Sequence, residues 1–333
     1  MGPVFVTGGT GLLGRRITER LVADGREVVA LARSDEGLEA LSSMGVARTV
    51  RGDVLDRDAL ARGLAGCEAA YHVAGVNGFC LADPGPMYGV NVEGSRRVVE
   101  VAAEAGVGRL VYTSSAAAIG EPTGTVGSES TLHRGHFLSH YERSKHLAEV
   151  AVRQAASEVG LDVVHVLPSS VQGPGRAGGT GRLLLDFVNG RLKAIIDTRL
   201  SIVDIVDCTE GHLLAEAHGT PGERYVLNGS TITIADGMRL LGEVTGVDYR
   251  VRSLPGPVAL AGAAVLERVQ RARGERPRFC REMVRTMRHG HAYDGSKASR
   301  ELGLTYTPLE ETLRRTVEWF VAQGMVTREL PEL

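Results

Sequence analysis

Tyr141 and Lys145 stand four residues apart in a stretch of helical pattern, and Ser115 precedes Tyr141 by 26 residues, just beyond an apolar run. Residues four apart share a helix face, so the two side chains point the same way. A free tyrosine has a pKa near ~10, too high to exchange protons readily at neutral pH. A lysine ammonium one turn away is expected to lower it, and Ser115 then holds a substrate oxygen while Tyr141 gives or takes its proton. Lysine is scarce here: Lys145, Lys193 and Lys297 are the only three, and arginine makes up the rest of the 38 basic residues. That bias fits the codons of a high-GC bacterial genome.

A second chemical set lies at the start of the chain. The apolar run Val4–Thr7 leads through Gly8, Thr10, Gly11, Leu12, Leu13 and Gly14 into a helical pattern. Gly8 is free to take backbone angles closed to other residues, Gly11 admits close approach of a ligand, and Gly14 lets helix and strand pack tightly. The free N–H groups at the start of that helix are suited to a pyrophosphate. Arg33 follows the second strand-like run, where an acidic residue would bind a ribose 2′-hydroxyl and an arginine accommodates a 2′-phosphate; NADP is therefore expected over NAD. Asp53 and Val54, after the third run, are placed to meet the adenine. Ala74 and Gly75, after the fourth, leave room for ribose and phosphates, whereas His72 reads as structural. An oxidised nicotinamide would add its positive charge to that of Lys145 beside Tyr141.

The elements that must position these residues alternate. Strand-like runs occur at Val4–Thr7, Glu27–Ala32, Ala47–Arg51, Ala69–Val73, Arg109–Thr113 and Asp162–Leu167, with helical stretches near 12–24, 56–65, 87–105 and 139–159. Repeated β-α-β units imply an α/β fold with a doubly wound parallel sheet, whose ligands bind beyond the carboxyl ends of the strands. Residues 1–172 are expected to form the dinucleotide-binding domain, with late strands returning at about 201–228. Residues 173–200 and 229–333 are expected to form a smaller, mostly helical substrate lobe, ending in a helix at 308–323.

Composition narrows the function classes. The 38 basic residues nearly balance 40 acidic ones, so neither a nucleic-acid surface nor an acidic tail is indicated. The longest apolar stretch, 255–266, is too short for a membrane span, and no leader is expected, since the first strand-like run starts at once. Cys67, Cys80, Cys208 and Cys280 are dispersed without ligand spacing and read as buried thiols of a cytoplasmic protein, with no metal site. A monomer or homodimer is expected.

Several motifs, taken together, resemble the extended short-chain dehydrogenase/reductase family. They are Thr-Gly-x-x-Gly-x-x-Gly at 7–14, Gly-Asp at 52–53, His-x-Ala-Gly at 72–75, Asn-Val-x-Gly at 91–94, Thr-Ser-Ser at 113–115 and Tyr-x-x-Ser-Lys at 141–145. A Pro-x-x-Val-x-Gly-Pro follows at 168–174. The resemblance implies a Rossmann-type sheet and a catalytic set of Ser115, Tyr141 and Lys145, with Asn91 steadying the site. It also implies that Lys145 holds the nicotinamide ribose and that Pro168 and Ser170 wall the nicotinamide. The segment after 173, including Arg176, would line the substrate pocket.

Departures from the family pattern select a branch. Ala116-Ala117-Ala118 replace the acidic pair of nucleotide-sugar dehydratases, and Leu167-Pro168-Ser169-Ser170 stand where sugar epimerases carry Arg-x-x-Asn. With Arg33, the chain is similar to the dihydroflavonol-reductase-like NADPH carbonyl reductases, acting on a small-molecule ketone or aldehyde. The alternatives are a nucleotide-sugar epimerase retaining NAD and a non-catalytic NADP-binding regulator. The histidine-rich segment 133–140 is a loop expected to cover the pocket, with His133 and His136 as candidate substrate contacts or proton carriers.

Overall fold

Four consecutive buried residues, Val4–Thr7, form β1 at the interior of a seven-stranded sheet. The structure, a computed structural model, describes residues 2–331 except 249 and 278. β1 is followed by β2 (Val28–Ala32), β3 (Arg48–Arg51), β4 (Ala69–His72), β5 (Arg109–Thr113) and β6 (Asp162–Pro168). With the later β10 (Arg224–Leu227) they lie in the order β3-β2-β1-β4-β5-β6-β10, every pair parallel. The chain runs outward from β1 to β3 and then returns to β4 on the other side. The switch between β1 and β4 opens a crevice beyond their carboxyl ends. Register aligns those ends: Thr7 pairs with both Leu31 and His72, and His72 with Tyr112.

Helices cover both faces because each carries one apolar stripe. On one face, Ile17 and Leu21 of α1 (Leu12–Ala23) and Leu41 of α2 (Asp35–Ser43) pack on Val4, Val6 and Val28. On the other, Leu60 and Leu64 of α3 (Arg57–Leu64) join Phe5, Val29 and Leu31. A short α4 (Gly85–Tyr88) runs through a π-turn at Gly89–Gly94 into α5 (Ser95–Glu104), which lies on that second face with α6 (His140–Val159). Each fully buried Leu, Ile or Phe of this kind contributes about 1.5–3 kcal/mol relative to exposure.

α2 is not anticipated by the apolar pattern. Its signal is a cap: Ser34 accepts from the Gly37 N–H, and Asp35 and Glu36 occupy the first turn. The late strands also divide differently from expectation. β10 joins the main sheet, but β9 (Arg199–Asp204) pairs with β7 (Ser170–Gln172) and, antiparallel, with β11 (Ser230–Thr233) in a separate small sheet. A two-residue pair, β8 (Ala194–Ile195) with β12 (Arg252–Ser253), completes the strands.

The remaining helices are α7 (Thr180–Val188), α8 (Ile205–His218), α9 (Ile234–Thr245), α10 (Gly256–Ala272), α11 (Arg281–His289) and α12 (Leu309–Ala322). α7, α9 and α12 share a core built on Leu184, Phe187, Leu241, Val317 and Phe320. Among the described residues, no helix is long and apolar enough to cross a membrane.

The cysteines correct the sequence reading. Cys67 and Cys208 are buried free thiols, but Cys80 and Cys280 form a disulfide, with Cα atoms 5.8 Å apart across 200 residues of sequence. Spacing cannot reveal such a pair, and its presence removes the argument for a reducing compartment.

Candidate active site

The glycines after β1 are fixed by their surroundings. Gly8 has φ +74°, and a Cβ there would lie 2.6 Å from the Ala74 nitrogen. A Cβ on Gly14 would lie 2.1 Å from the Gly8 carbonyl oxygen, so α1 can begin only this close to the strand end if residue 14 is glycine. Gly11 is the N-cap of α1 and gives it no side-chain acceptor, leaving the first-turn N–H groups for a ligand.

These residues line a cavity of about 420 Å³. Gly8, Thr10, Gly11, Leu12, Leu13, Gly14, Arg33, Asp53, Val54, Ala74 and Gly75 all face it, joined by Arg176 from the loop after β7. Arg33 is 75% exposed at the outer end, its guanidinium 3.7 Å from Asp53. Asp53 also accepts from the Leu55 N–H at 3.0 Å. Sequence reasoning missed Asn77, Val90, Thr113 and Val171, which also line the cavity. Pro168 and Ser170 do not line it: Pro168 is buried at the end of β6, and the Ser170 hydroxyl lies 3.1 Å from that of Thr180. In a β-strand neighbours alternate, which turns Val171 to the cavity and Ser170 away.

Behind Gly75 and Thr113 lies the Ser115–Tyr141–Lys145 set. Ser139 caps α6 by accepting from the Glu142 N–H at 3.1 Å, and Glu142 accepts from the Leu138 N–H at 3.1 Å, fixing the helix start that carries Tyr141. Lys145 is buried and donates 2.9 Å to the Thr113 carbonyl, with its ammonium 5.4 Å from the centre of the Tyr112 ring. Burial lowers its pKa to about 8, with Glu149 opposing. A Cβ on Gly75 would lie 3.9 Å from the Lys145 Nζ, which places the ammonium at the cavity wall.

Tyr141 differs from expectation. Burial raises its pKa above the ordinary tyrosine value, while the Ser115 hydroxyl and the Arg176 guanidinium pull it down. The charge acting on the phenol is thus that of Arg176, and the Lys145 ammonium is hydrogen-bonded to Thr113. Phe79 lies against Tyr141, ring centres 6.3 Å apart. Beside it, Cys80 carries the disulfide to Cys280, and Glu282 of α11 accepts from the backbone of both Cys80 and His140.

Asn91 is fully enclosed in the π-turn. It accepts from the Val76 N–H at 2.7 Å and donates at 2.9 Å to both the Val76 carbonyl and the Ser144 hydroxyl. It ties the loop after β4 to α6 and is a positioning residue. His72 is buried between Thr7 at 2.7 Å and Ser95 at 2.9 Å, and burial lowers its pKa to about 3, so it remains neutral.

The histidine-rich segment is outside the cavity. His133 packs between Phe137 and His146, with ring centres 4.7 and 4.4 Å away, and His136 is exposed. Arg134 explains the segment's course: it pairs with Glu142 and donates 3.1 Å to the Glu121 carbonyl, fastening the loop to α6. Nearby, Glu121, His289 and His291 bring one carboxylate oxygen and two ring nitrogens within 4.8 Å of one another, the one grouping of this kind among the described residues. It is closed on itself, with His291 Nδ1 2.6 Å from Glu121 Oε1.

Residues 4–227 match the NAD dependent epimerase/dehydratase family. A dihydroflavonol 4-reductase-like protein of Synechocystis sp. is 34% identical over 97% of this chain and 95% of its own. A 2-alkyl-3-oxoalkanoate reductase of Shewanella oneidensis is 29% identical over 93% and 84% respectively. Among solved structures, gox2253 superposes with a TM-score of 0.85 at 31% identity, covering 98% of this chain and 100% of the other.

Proposed function

The chain belongs to the NAD dependent epimerase/dehydratase family, the extended short-chain dehydrogenases/reductases, and on that premise we propose that it reduces a ketone or aldehyde of a small organic substrate with NADPH. The observation that carries this reading is the anchoring of the helix that bears Tyr141 and Lys145 to the cavity: Lys145 is hydrogen-bonded to Thr113, which lines the cavity with Gly8, Gly14, Arg33 and Arg176, and the Ser115 hydroxyl acts on the Tyr141 phenol. The reductase relatives support it.

The residues fit a dinucleotide. The glycines leave space where a Cβ would collide, the uncapped start of α1 offers N–H donors to phosphate oxygens, and Arg33 offers a cation at the outer end for a 2′-phosphate. When bound, the nicotinamide supplies hydride to the carbonyl carbon. Ser115 holds the carbonyl oxygen, and Tyr141 delivers a proton to it as negative charge develops. Lys145, fixed by Thr113, positions the ribose, and Arg176 supplies the positive charge that acts on the phenol. Asn91 holds α6 against the loop after β4 so that these distances persist.

Purified protein is incubated with NADPH, and separately NADH, across a carbonyl panel that includes 3-oxo acids. Substrate-dependent loss of NADPH absorbance, faster than that of NADH, supports the reading. Tightly retained NAD with no net consumption of either would replace it with an epimerase.

A further inference from the structure

Among the described residues, the Arg176 side chain has no ion-pair or hydrogen-bond partner. It lies in the loop joining β7 to α7, where Gly173, Gly175 and Gly179 all have positive φ. Two close approaches fix its place. A Cβ on Gly175 would lie 2.9 Å from Leu12 Cδ1, so the loop comes down onto the start of α1; one on Gly181 would lie 2.1 Å from the Arg176 carbonyl oxygen. The side chain thereby reaches the cavity wall and the neighbourhood of Tyr141.

Its Nε is buried without a hydrogen-bond partner, and no carboxylate among the described residues acts on the guanidinium. The titratable neighbour that does act on it is Tyr141, whose phenol is neutral at ordinary pH. Arginine cannot shed its proton to escape this cost, and an unpaired buried cation is expensive. Two arginines whose side chains are more than four-fifths buried are paired, Arg134 with Glu142 and Arg224 with Glu149. A guanidinium held in the cavity without such a partner is a site for an anion supplied by a ligand.

Resting on the reductase reading, we propose that Arg176 binds the carboxylate of the substrate, and that the substrate is an oxo acid. A planar carboxylate meets the guanidinium fork with two parallel hydrogen bonds. The carboxylate is a spectator: hydride adds to the carbonyl carbon, the Tyr141 proton goes to the carbonyl oxygen, and the product is the hydroxy acid. A phosphate oxygen of the dinucleotide is the other oxyanion able to meet the same guanidinium, and the test separates the two.

The experiment uses the protein loaded with NADP⁺ or NADPH and two probes, 3-oxobutanoate and its methyl ester. Turnover is followed by NADPH absorbance, binding of each probe to the NADP⁺ form by calorimetry, and NADPH affinity by fluorescence, in wild type, Arg176→Lys and Arg176→Met. The expected result is a wild-type preference for the acid over the ester. Arg176→Met should shrink that preference roughly 10- to 100-fold and Arg176→Lys by less, with acid affinity falling further than NADPH affinity. Equal treatment of acid and ester by the wild type overturns the proposal while leaving the reductase reading intact. A parallel loss of NADPH affinity, with the acid preference kept, also overturns it and assigns Arg176 to the cofactor phosphates. Arg176-dependent binding of the acid without turnover of any carbonyl upholds the carboxylate site and overturns the reductase reading instead.

Discussion

Lys145 Nζ donates a 2.9 Å hydrogen bond to the carbonyl oxygen of Thr113, joining the helix that carries Tyr141 to the end of β5. The ammonium sits at the cavity wall, beneath Gly75. The bond defines what Lys145 contributes: a fixed cation at the nicotinamide end, dependent on its own protonation.

A pH profile follows from that. Burial lowers the Lys145 pKa to about 8, so the ammonium is present below that pH and lost above it. The reductive kcat/KM is expected to fall as pH rises through about 8. Stability responds in the opposite sense. Between about 8 and the ordinary value of 10.5 the unfolded chain binds more protons at this residue than the folded one, so its contribution to stability rises with pH across that window. Activity and Tm measured together from pH 7 to 10 check both signs, and Lys145→Met should abolish the activity limb.

The glycine loop makes a steric prediction. Gly14→Ala puts a methyl group 2.1 Å from the Gly8 carbonyl oxygen and must displace the start of α1. NADPH affinity should drop at least tenfold, and Tm should fall. Gly262, inside α10 with nothing within 4 Å of a Cβ, is the control: Gly262→Ala should stabilise by about 0.5–1 kcal/mol through helix propensity alone. Denaturant melts and fluorescence titration of both variants measure the contrast.

Arg33 is the proposed selector of the 2′-phosphate. Its side chain is 75% exposed and touches Asp53 only at 3.7 Å, so Arg33→Ser should leave stability unchanged within about 0.5 kcal/mol. The ratio of kcat/KM for NADPH to that for NADH should fall by about 10- to 100-fold, the value of one or two charge-assisted hydrogen bonds.

The disulfide is tested by mass spectrometry and thiol titration. Non-reducing digestion should recover one peptide pair linked through Cys80 and Cys280, and the native protein should resist thiol reagents because Cys67 and Cys208 are buried. The link closes a loop of 200 residues, so reduction should lower Tm.

Much of the fold was legible because burial on both faces writes strands as apolar runs. Val4–Thr7, Arg109–Thr113 and the strand at 162–168 fall where such runs stand. The cavity was legible because glycines and small residues stand just after those strands, where the sheet's carboxyl ends open. What stayed hidden depends on long-range or local polar contacts. α2 rests on the Ser34 cap, and the disulfide joins residues that sequence separates by 200 positions. Ser170 and Val171 exchange places because alternation in a three-residue strand has no visible phase. The partner of Lys145 was hidden too, since helical spacing aligned it with Tyr141 while the fold turned its ammonium to a backbone carbonyl. His133 and Arg134, close to Tyr141 in sequence, fasten a loop instead of lining the cavity.

The central claim is that Tyr141 protonates the carbonyl while NADPH is oxidised, and one comparison tests it most directly: NADPH consumption by wild type and Tyr141→Phe at saturating carbonyl substrate. The variant keeps the ring that packs on Phe79 and removes only the hydroxyl. A loss in kcat of about 10²–10⁴-fold, with NADPH affinity retained, is the predicted result. Wild-type turnover matched by Tyr141→Phe would contradict it.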